Sequence, residues 1–159
     1  EKCSEFFYID EKEGTDTMEE DLKKLYDEGK KAFGFYCGKG EWFLLTLKNI
    51  DIMSQMLPNV SKASQSLDVS VLHTLILEKI FGIDKENMAK QINLTYTKFF
   101  TEAIDGVDKG EFQCSFVLNP TRVTEIRDVA AAGEKMPQKS TYFYPKMITG
   151  MVMNNLGVD

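Results

Sequence analysis

The chain has 159 residues, 43% of them hydrophobic, which is enough to bury the core of one domain. Its formal net charge of -6 repels phosphate backbones and anionic headgroups, so the composition speaks against nucleic-acid or membrane-surface partners. No apolar run reaches the roughly 18 residues that cross a bilayer, and the N-terminus lacks a secretory signal pattern. We therefore expect a cytoplasmic domain.

Three cysteines, Cys3, Cys37 and Cys114, are far apart in the chain and form no CxxC pair. They lie mostly in apolar, strand-like runs, which is typical of reduced and buried thiols. A nucleophilic role would require a neighbouring base, and alternation places Cys37 and Cys114 beside large aromatic residues instead. We predict that both are structural.

The first elements are a strand and a helix. Residues 6–9 form a short apolar run, and residues 10–16 form a polar loop. Thr17 has capping-box spacing to a glutamate, and apolar residues then repeat at helical intervals over residues 18–28. Gly29 is placed to end this helix.

A β-hairpin follows. Residues 32–37 alternate between apolar and other side chains, and residues 41–48 are rich in aromatic and aliphatic side chains. Gly38 and Gly40 supply the permissive backbone for the turn between them. A phosphate-binding loop is not indicated, because this GxG leads into a strand rather than into a helix N-terminus.

Residues 49–65 predict a connection with one helical turn, and residues 69–81 predict the most buried helix of the chain. Asp68 is placed to cap that helix, and Gly82 to end it. The apolar face that we expect in the core carries Leu72, Ile76 and Ile80.

The second half predicts further alternation of helices and strands. Its elements are one or two helical turns at 85–90, a strand at 92–97, a helix from 99 to 107 before Gly110, a strand at 111–118, a helix from Asn119-Pro120 to Ala132, and a strand at 147–153. Because the hairpin excludes a purely parallel sheet, we predict a single α+β domain with a mixed, mainly antiparallel sheet covered by helices.

The string MPQKSTYFYPK at residues 136–146 combines prolines, cations, hydroxyls and aromatic rings. Prolines stiffen the backbone, so such a segment can hold an anion at little cost in ordering entropy. A predicted helix N-terminus at the LNPT string offers a second place for an anion. The predicted anion-binding residues are Lys139, Ser140, Thr141, Lys146, Asn119 and Thr121. The alternative is a stiff connection whose lysines cover the neighbouring aromatic rings.

His73 is the only histidine, and its position beside an apolar helical face is typical of a hydrogen-bonded core residue. No second histidine and no cysteine cluster has metal-ligand spacing, so we predict no metal site. Asp68 and His73 are still candidates to contribute to a site that another domain completes.

Three strings, in this order and spacing, resemble the C-terminal part of a bacterial family of unknown function, DUF family 1015. They are GKGEWFLLTLK (38–48), LDVSVLHTLILEKIFGI (67–83) and GEFQCSFVLNPTRVTEIRDVAAAGEKMPQKSTYFYPKMITGMVMNNL (110–156). Their most specific parts are LNPT, AAGEKMP and QKSTYFYPK. The resemblance covers at least two thirds of the chain but leaves residues 49–65 unaligned.

Members of that family are more than twice as long, and their upstream half carries a DGHHR-like motif that is absent here. That half has been likened to ParB and sulfiredoxin-type domains, some of which bind nucleotides and phosphorylate free serine. The resemblance therefore implies a C-terminal domain of a longer protein, which supports or completes a small-anion or nucleotide site with the upstream half. It implies no turnover and no cofactor for this chain alone, and a nucleotide for the full-length protein.

Two alternatives stay open. In the first, the full-length protein is a small-molecule kinase of the free-serine type, a phosphotransferase in which Lys139 and Lys146 bind phosphate. In the second, it is a ParB-like regulatory binding protein, although the acidic charge disfavours direct DNA contact. The expected partners are the upstream half and, through an apolar patch near the N-terminus or a sheet edge, a second copy of the chain.

Overall fold

A computed structural model describes residues 2–141 of the chain. Within them, four strands form one antiparallel sheet in the order β1-β3-β2-β4. The strands are β1 (Phe7–Glu13), β2 (Ala32–Gly38), β3 (Glu41–Leu47) and β4 (Ser115–Val117). The predicted strand at residues 147–153 lies outside the described residues.

Helices cover both faces of the sheet, which confirms the predicted α+β fold and single domain. They are α1 (Met18–Asp27), α2 (Ile52–Met56), α3 (Lys62–Gln65), α4 (Asp68–Val71), which continues as a π-helix over Leu72–Ile80, α5 (Lys85–Lys90), α6 (Phe100–Asp108) and α7 (Val123–Ala131). No helix within residues 2–141 is long and apolar enough to cross a membrane.

Helices α1 and α6 pack on one face of the sheet. Met18 and Leu22 of α1 are buried there against Trp42 of β3. The Trp42 indole N–H donates to the carbonyl oxygen of Gly14 at 2.8 Å, which satisfies its one polar atom inside the core. The Tyr36 hydroxyl lies 2.6 Å from Oδ1 of Asp108 and so joins β2 to the end of α6.

The π-helix packs on the opposite face. Leu75 and Ile76 are fully buried against Phe33 and Leu45 of the sheet. Of the face that the sequence predicts, Leu72 and Ile76 are buried and Ile80 is half-buried. At the end of this helix the backbone N–H of Phe81 donates to the carbonyl oxygen of Ile76 at 3.0 Å, five residues back. The predicted central helix is therefore confirmed, although most of it has π rather than α geometry. The prediction that Asp68 caps it is wrong, because Asp68 is the first residue of α4 and Leu67 is the N-cap.

The predicted hairpin is confirmed, with Phe35 opposite Phe43 and Phe33 opposite Leu45. Its turn is tight, because Gly38, Lys39 and Gly40 all have positive φ angles of 101°, 60° and 78°. Lysine adopts this backbone at a cost. Oδ1 of Asp108 accepts a hydrogen bond from the Lys39 backbone N–H at 3.3 Å, which supports the turn from α6.

Three predictions are wrong, namely the end of the first strand, the strand at residues 92–97 and the side-chain cap of α1. β1 extends through the expected loop to Glu13, because it pairs with β3 as far as Glu41. Residues 92–97 form no strand, and Ile92 is 65% exposed. Thr17 makes no side-chain capping hydrogen bond.

The strand predicted at residues 111–118 is limited to Ser115–Val117. The backbone N–H groups of Glu111 and Phe112 both donate to the carbonyl oxygen of Gly106 and thereby close α6. The Phe112 ring also lies so close to Gly106 that a Cβ there would be 2.7 Å from the ring. This backbone serves the helix end and is not free to join the sheet.

We expect Leu75→Ala to lower the free energy of unfolding by about 2 to 5 kcal/mol, because it leaves a cavity between the π-helix and the sheet. Glu78→Ala, at an exposed position of the same helix, should change it by less than about 0.5 kcal/mol. Urea denaturation of both variants measures the difference. Equal effects would contradict the placement of this helix in the core.

Candidate functional site

A buried charge cluster joins three segments that are distant in sequence. The Lys31 ammonium lies 2.8 Å from Oδ1 of Asp68, the first residue of α4, and 3.3 Å from Oε1 of Glu125 in α7. The side chains of Lys31, Asp68 and Glu125 are only 16%, 9% and 21% exposed. We call these three residues the Lys31 cluster. One cation between two poorly solvated carboxylates offsets part of the cost of burying them.

One carboxylate oxygen of Asp68 accepts no hydrogen bond from residues 2–141. Its Oδ1 faces the Lys31 ammonium as an ionic contact, and its Oδ2 is buried without a hydrogen-bond partner among residues 2–141. Burial raises the pKa of Asp68 above its usual 3.8, although Lys31 acts in the opposite direction. A buried carboxylate oxygen without a partner is costly, so this atom is suited to accept a hydrogen bond from a hydroxyl, an amide or an ammonium group.

Tyr26 and Arg122 extend the cluster toward the surface. The Tyr26 hydroxyl lies 3.1 Å from Oε2 of Glu125 and 3.2 Å from the carbonyl oxygen of Pro120. Burial, and then the neighbouring Glu125, raises the pKa of Tyr26 to about 12, so the phenol stays protonated as a donor. The Arg122 guanidinium stacks 3.8 Å above the Tyr26 ring and pairs with Asp27 at 3.1 Å.

Asn119 is not the helix N-cap that the sequence predicts. Helix α7 begins at Val123 with Arg122 as its N-cap, and Oε2 of Glu125 accepts the Arg122 backbone N–H at 2.9 Å. The Asn119 side-chain amide instead donates to the carbonyl oxygen of Leu22 in α1 at 3.0 Å. The helix N-terminus thus already has a carboxylate of its own, which disfavours a second anion there.

The KST residues form a tight turn. Lys139 is exposed and has a φ of 64°, and the Ser140 hydroxyl donates to the carbonyl oxygen of Pro137 at 2.6 Å. The Thr121 hydroxyl donates to the carbonyl oxygen of Ser140 at 2.9 Å. Both hydroxyls therefore serve backbone carbonyls. Thr141 is half-buried, and Lys146 lies outside the described residues.

The structure brings several predicted residues into one region. Contacts run from Asp68 through Lys31 and Glu125 to Tyr26 and the LNPT segment, and from Thr121 to Ser140. His73 is not in this chain of contacts. Its ring lies 6.4 Å from that of Tyr96, its Nε2 is buried without a partner within residues 2–141, and burial lowers its pKa.

Sequence reasoning missed the cation at the centre of this region. Lys31 is an ordinary lysine before a strand, and nothing in its neighbourhood indicates a buried position. The true start of α7 had no capping signal in the sequence either, because the side chain of its N-cap, Arg122, has no atom that accepts a hydrogen bond. The pairing of Lys31 with Asp68 and Glu125 depends on contacts across most of the chain, and a local pattern does not encode it.

A second polar cluster ties the AAGEKMP string to the segment that the resemblance left unaligned. Oε1 of Glu134 accepts the Ser61 backbone N–H at 2.6 Å, and its Oε2 accepts hydrogen bonds from the hydroxyls of Ser61, at 2.8 Å, and Ser64. Ser61 is the N-cap of α3. Glu134 therefore places a carboxylate at the start of α3 and holds it against α7.

Comparisons of the chain with models of protein families, with curated proteins and with solved structures give no match. No group of three or more histidine, cysteine, aspartate or glutamate side chains in the described part is arranged to hold a metal ion. The geometry of the Lys31 cluster and the LNPT and KST segments is thus the basis for functional inference.

We expect Asp68→Asn to gain stability relative to the wild type as the pH rises. The folded-state pKa of Asp68 is raised, so its stabilising contribution is complete below the usual 3.8 and is lost as the pH rises through the folded pKa. Asparagine does not ionise, so the difference in unfolding free energy should shift in favour of the variant across that window. Urea titrations at a series of pH values measure it, with exposed Asp51→Asn as the control. A difference that is constant with pH would refute the expectation.

Glu134→Gln should show the opposite dependence. Hydrogen bonds from Ser64 and Ser61 lower the pKa of Glu134 below its usual 4.5, so its stabilisation is present above 4.5 and is lost as the pH falls through the folded pKa. The variant should be less stable than the wild type above pH 4.5 and equal to it at the acid end of the titration. Glu111→Gln, at an exposed position, is the matched control. A deficit that persists in acid would show that the carboxylate charge is not its cause.

Proposed function

We propose that this chain is the C-terminal domain of a DUF family 1015 protein and that it completes a nucleotide or small-anion site together with the upstream half. The observation that carries the proposal is the buried Oδ2 of Asp68, which has no partner within residues 2–141. It belongs to a region that also includes the LNPT and KST segments, which the sequence singled out. The chain alone has no turnover in this proposal.

The region offers two kinds of contact to a ligand, a hydrogen-bond acceptor and a cation. Asp68 is an acceptor, and a carboxylate in that role binds the hydroxyl groups of a ribose well. Lys139 is exposed and adjoins Ser140, whose carbonyl oxygen accepts the Thr121 hydroxyl, and its ammonium group is suited to a phosphate. The remaining phosphate contacts come from the upstream half, because the nearby hydroxyls are already donated to carbonyl oxygens.

Calorimetric titration of the full-length protein with a nucleoside triphosphate, a nucleoside and inorganic phosphate tests this proposal. Asp68→Asn should weaken binding of the triphosphate and the nucleoside by about tenfold, since each loses a hydrogen bond to a charged acceptor. Lys139→Ala should weaken only the phosphorylated ligands, by roughly 1.5 to 3 kcal/mol. Exposed Asp51→Asn should bind as the wild type does.

Two results would overturn the proposal. One is that none of these ligands binds the full-length protein. The other is that Asp68→Asn and Lys139→Ala, both folded, bind every ligand with wild-type affinity. The second result would leave residues 136–141 as a stiff connection.

A kinase of the free-serine type is the second candidate. The same Asp68 oxygen favours it, because a carboxylate with a raised pKa is suited to accept the proton of a hydroxyl nucleophile. Lys139 and Lys146 would then contact phosphate. Full-length protein that consumes a nucleoside triphosphate only in the presence of serine would favour this candidate, and salt-dependent retardation of DNA would instead favour the ParB-like alternative.

Association through the edge of the sheet is part of the same proposal. β1 lies at one edge of the described sheet, and its residues Tyr8 and Ile9 are 61% and 39% exposed. An edge with exposed apolar side chains is a natural contact for the upstream half or for a second copy of the chain.

A further inference from the structure

Two cysteines lie at the end of the pairing between β2 and β4, with Cys37 in β2 and Cys114 directly before β4. Phe35 of β2 lies directly opposite Phe116 of β4, and their rings stack at 4.8 Å on one face of the sheet. Residues two apart along a strand share a face. Cys37 lies two residues after Phe35, and Cys114 lies two residues before Phe116, so continuation of the antiparallel register makes them the next pair on that face.

The register supports this pairing up to the adjacent residue. It runs from Gly34 opposite Val117 to Tyr36 opposite Ser115. In its pairing with β3, β2 is irregular between Tyr36 and Gly38, so Cys37 lies at this irregularity. Cys37 and Cys114 are the residues directly beyond the last pair of the ladder between β2 and β4, Tyr36 and Ser115.

The spacing of such a pair suits a disulfide. Residues directly opposite in an antiparallel ladder have Cα atoms about 4.5 to 5.5 Å apart. Disulfides take Cα separations of about 4.4 to 6.8 Å. Burial, and then the charge of a Cys37 thiolate, raises the pKa of Cys114.

The pair is also open to a reagent. Cys37 is exposed and Cys114 is half-buried, so the prediction that both are buried structural thiols is wrong for Cys37. Cys3 lies in a short helix before β1 and packs against the core beneath the π-helix. Its sequence neighbours do not pair with β2 or β4.

We propose that Cys37 and Cys114 are a modification site that forms a reversible intramolecular disulfide by exchange with a small-molecule disulfide such as glutathione disulfide. The Cys37 thiolate attacks one sulfur of the reagent, and the other glutathione leaves as a thiolate. The Cys114 thiolate then displaces the glutathione bound to Cys37. The protein loses two protons and two electrons, and the reagent is reduced to two thiols.

The disulfide would link β4, the shortest strand of the described sheet, to β2. β4 has only three residues in the ladder, yet it connects α6 to the segment that carries the LNPT string. A disulfide between β2 and β4 joins it covalently to the centre of the sheet and restricts the unfolded chain. This inference is independent of the proposed nucleotide or anion site.

The test is incubation of the 159-residue chain with reduced and oxidised glutathione, followed by alkylation and peptide mapping by mass spectrometry. We expect one intramolecular link between the peptides of Cys37 and Cys114, with Cys3 alkylated, and a rise in Tm of about 5 to 10 °C. Partial desolvation raises the pKa of both thiols, with a further contribution from Glu41 at Cys37, so exchange should accelerate from neutral pH toward and beyond their usual 9.0. Reduction with dithiothreitol should restore three free thiols.

The variants separate the pair from a single reactive thiol. Cys114→Ser should stop at a mixed disulfide between Cys37 and glutathione, and Cys3→Ser should form the same link as the wild type. If Cys114→Ser does not fold, Cys37→Ser at the exposed position should form no intramolecular link. Links that involve Cys3, disulfides between chains, or only mixed disulfides in the folded wild type would each overturn the proposal.

Discussion

The position of the Lys31 ammonium between two carboxylates is the constraint on which the polar region depends. Without this cation, the like charges of Asp68 and Glu125 would lie close together where little solvent reaches them. Their repulsion and desolvation would then oppose the approach of α4 and α7 to the start of β2. The backbone of Lys31 is held as well, since its carbonyl oxygen accepts the Leu47 N–H at 2.8 Å. The sheet thus positions the backbone of Lys31, and the Lys31 ammonium in turn pairs with carboxylates of α4 and α7.

The same arrangement leaves Oδ2 of Asp68 without a hydrogen-bond partner among residues 2–141. Lys31 cannot satisfy all the carboxylate oxygens around it, and Tyr26 and the Arg122 backbone serve Glu125 rather than Asp68. Buried acceptors are normally paired, so an oxygen without a partner calls for a specific explanation. Oδ2 of Asp68 is such an oxygen within residues 2–141, and contacts through Lys31, Glu125 and Tyr26 connect Asp68 to the LNPT segment.

The two ends of the domain differ in their chemistry. The Lys31 cluster lies near the start of β2, whereas the stacked Phe35 and Phe116 rings and the two cysteines lie toward its hairpin end. Polar contacts between segments distant in sequence dominate the first end. At the second, a short strand is held by three residue pairs and ring stacking, so a covalent link has the most to add there.

The sequence by itself determined the elements whose signals are local. Alternation around Gly38 and Gly40 specified the hairpin, and helical periodicity specified α1, α6 and the buried helix after Asp68. Only the tertiary structure decided what depends on distant partners. Residues 92–97 have the composition of a strand but pair with no strand in the described sheet, and the closure of α6 shortens β4. Asp68 was a candidate from its sequence context, but Lys31 and Glu125 became visible beside it only after folding, because a charge pair is specified by proximity in space rather than by spacing along the chain.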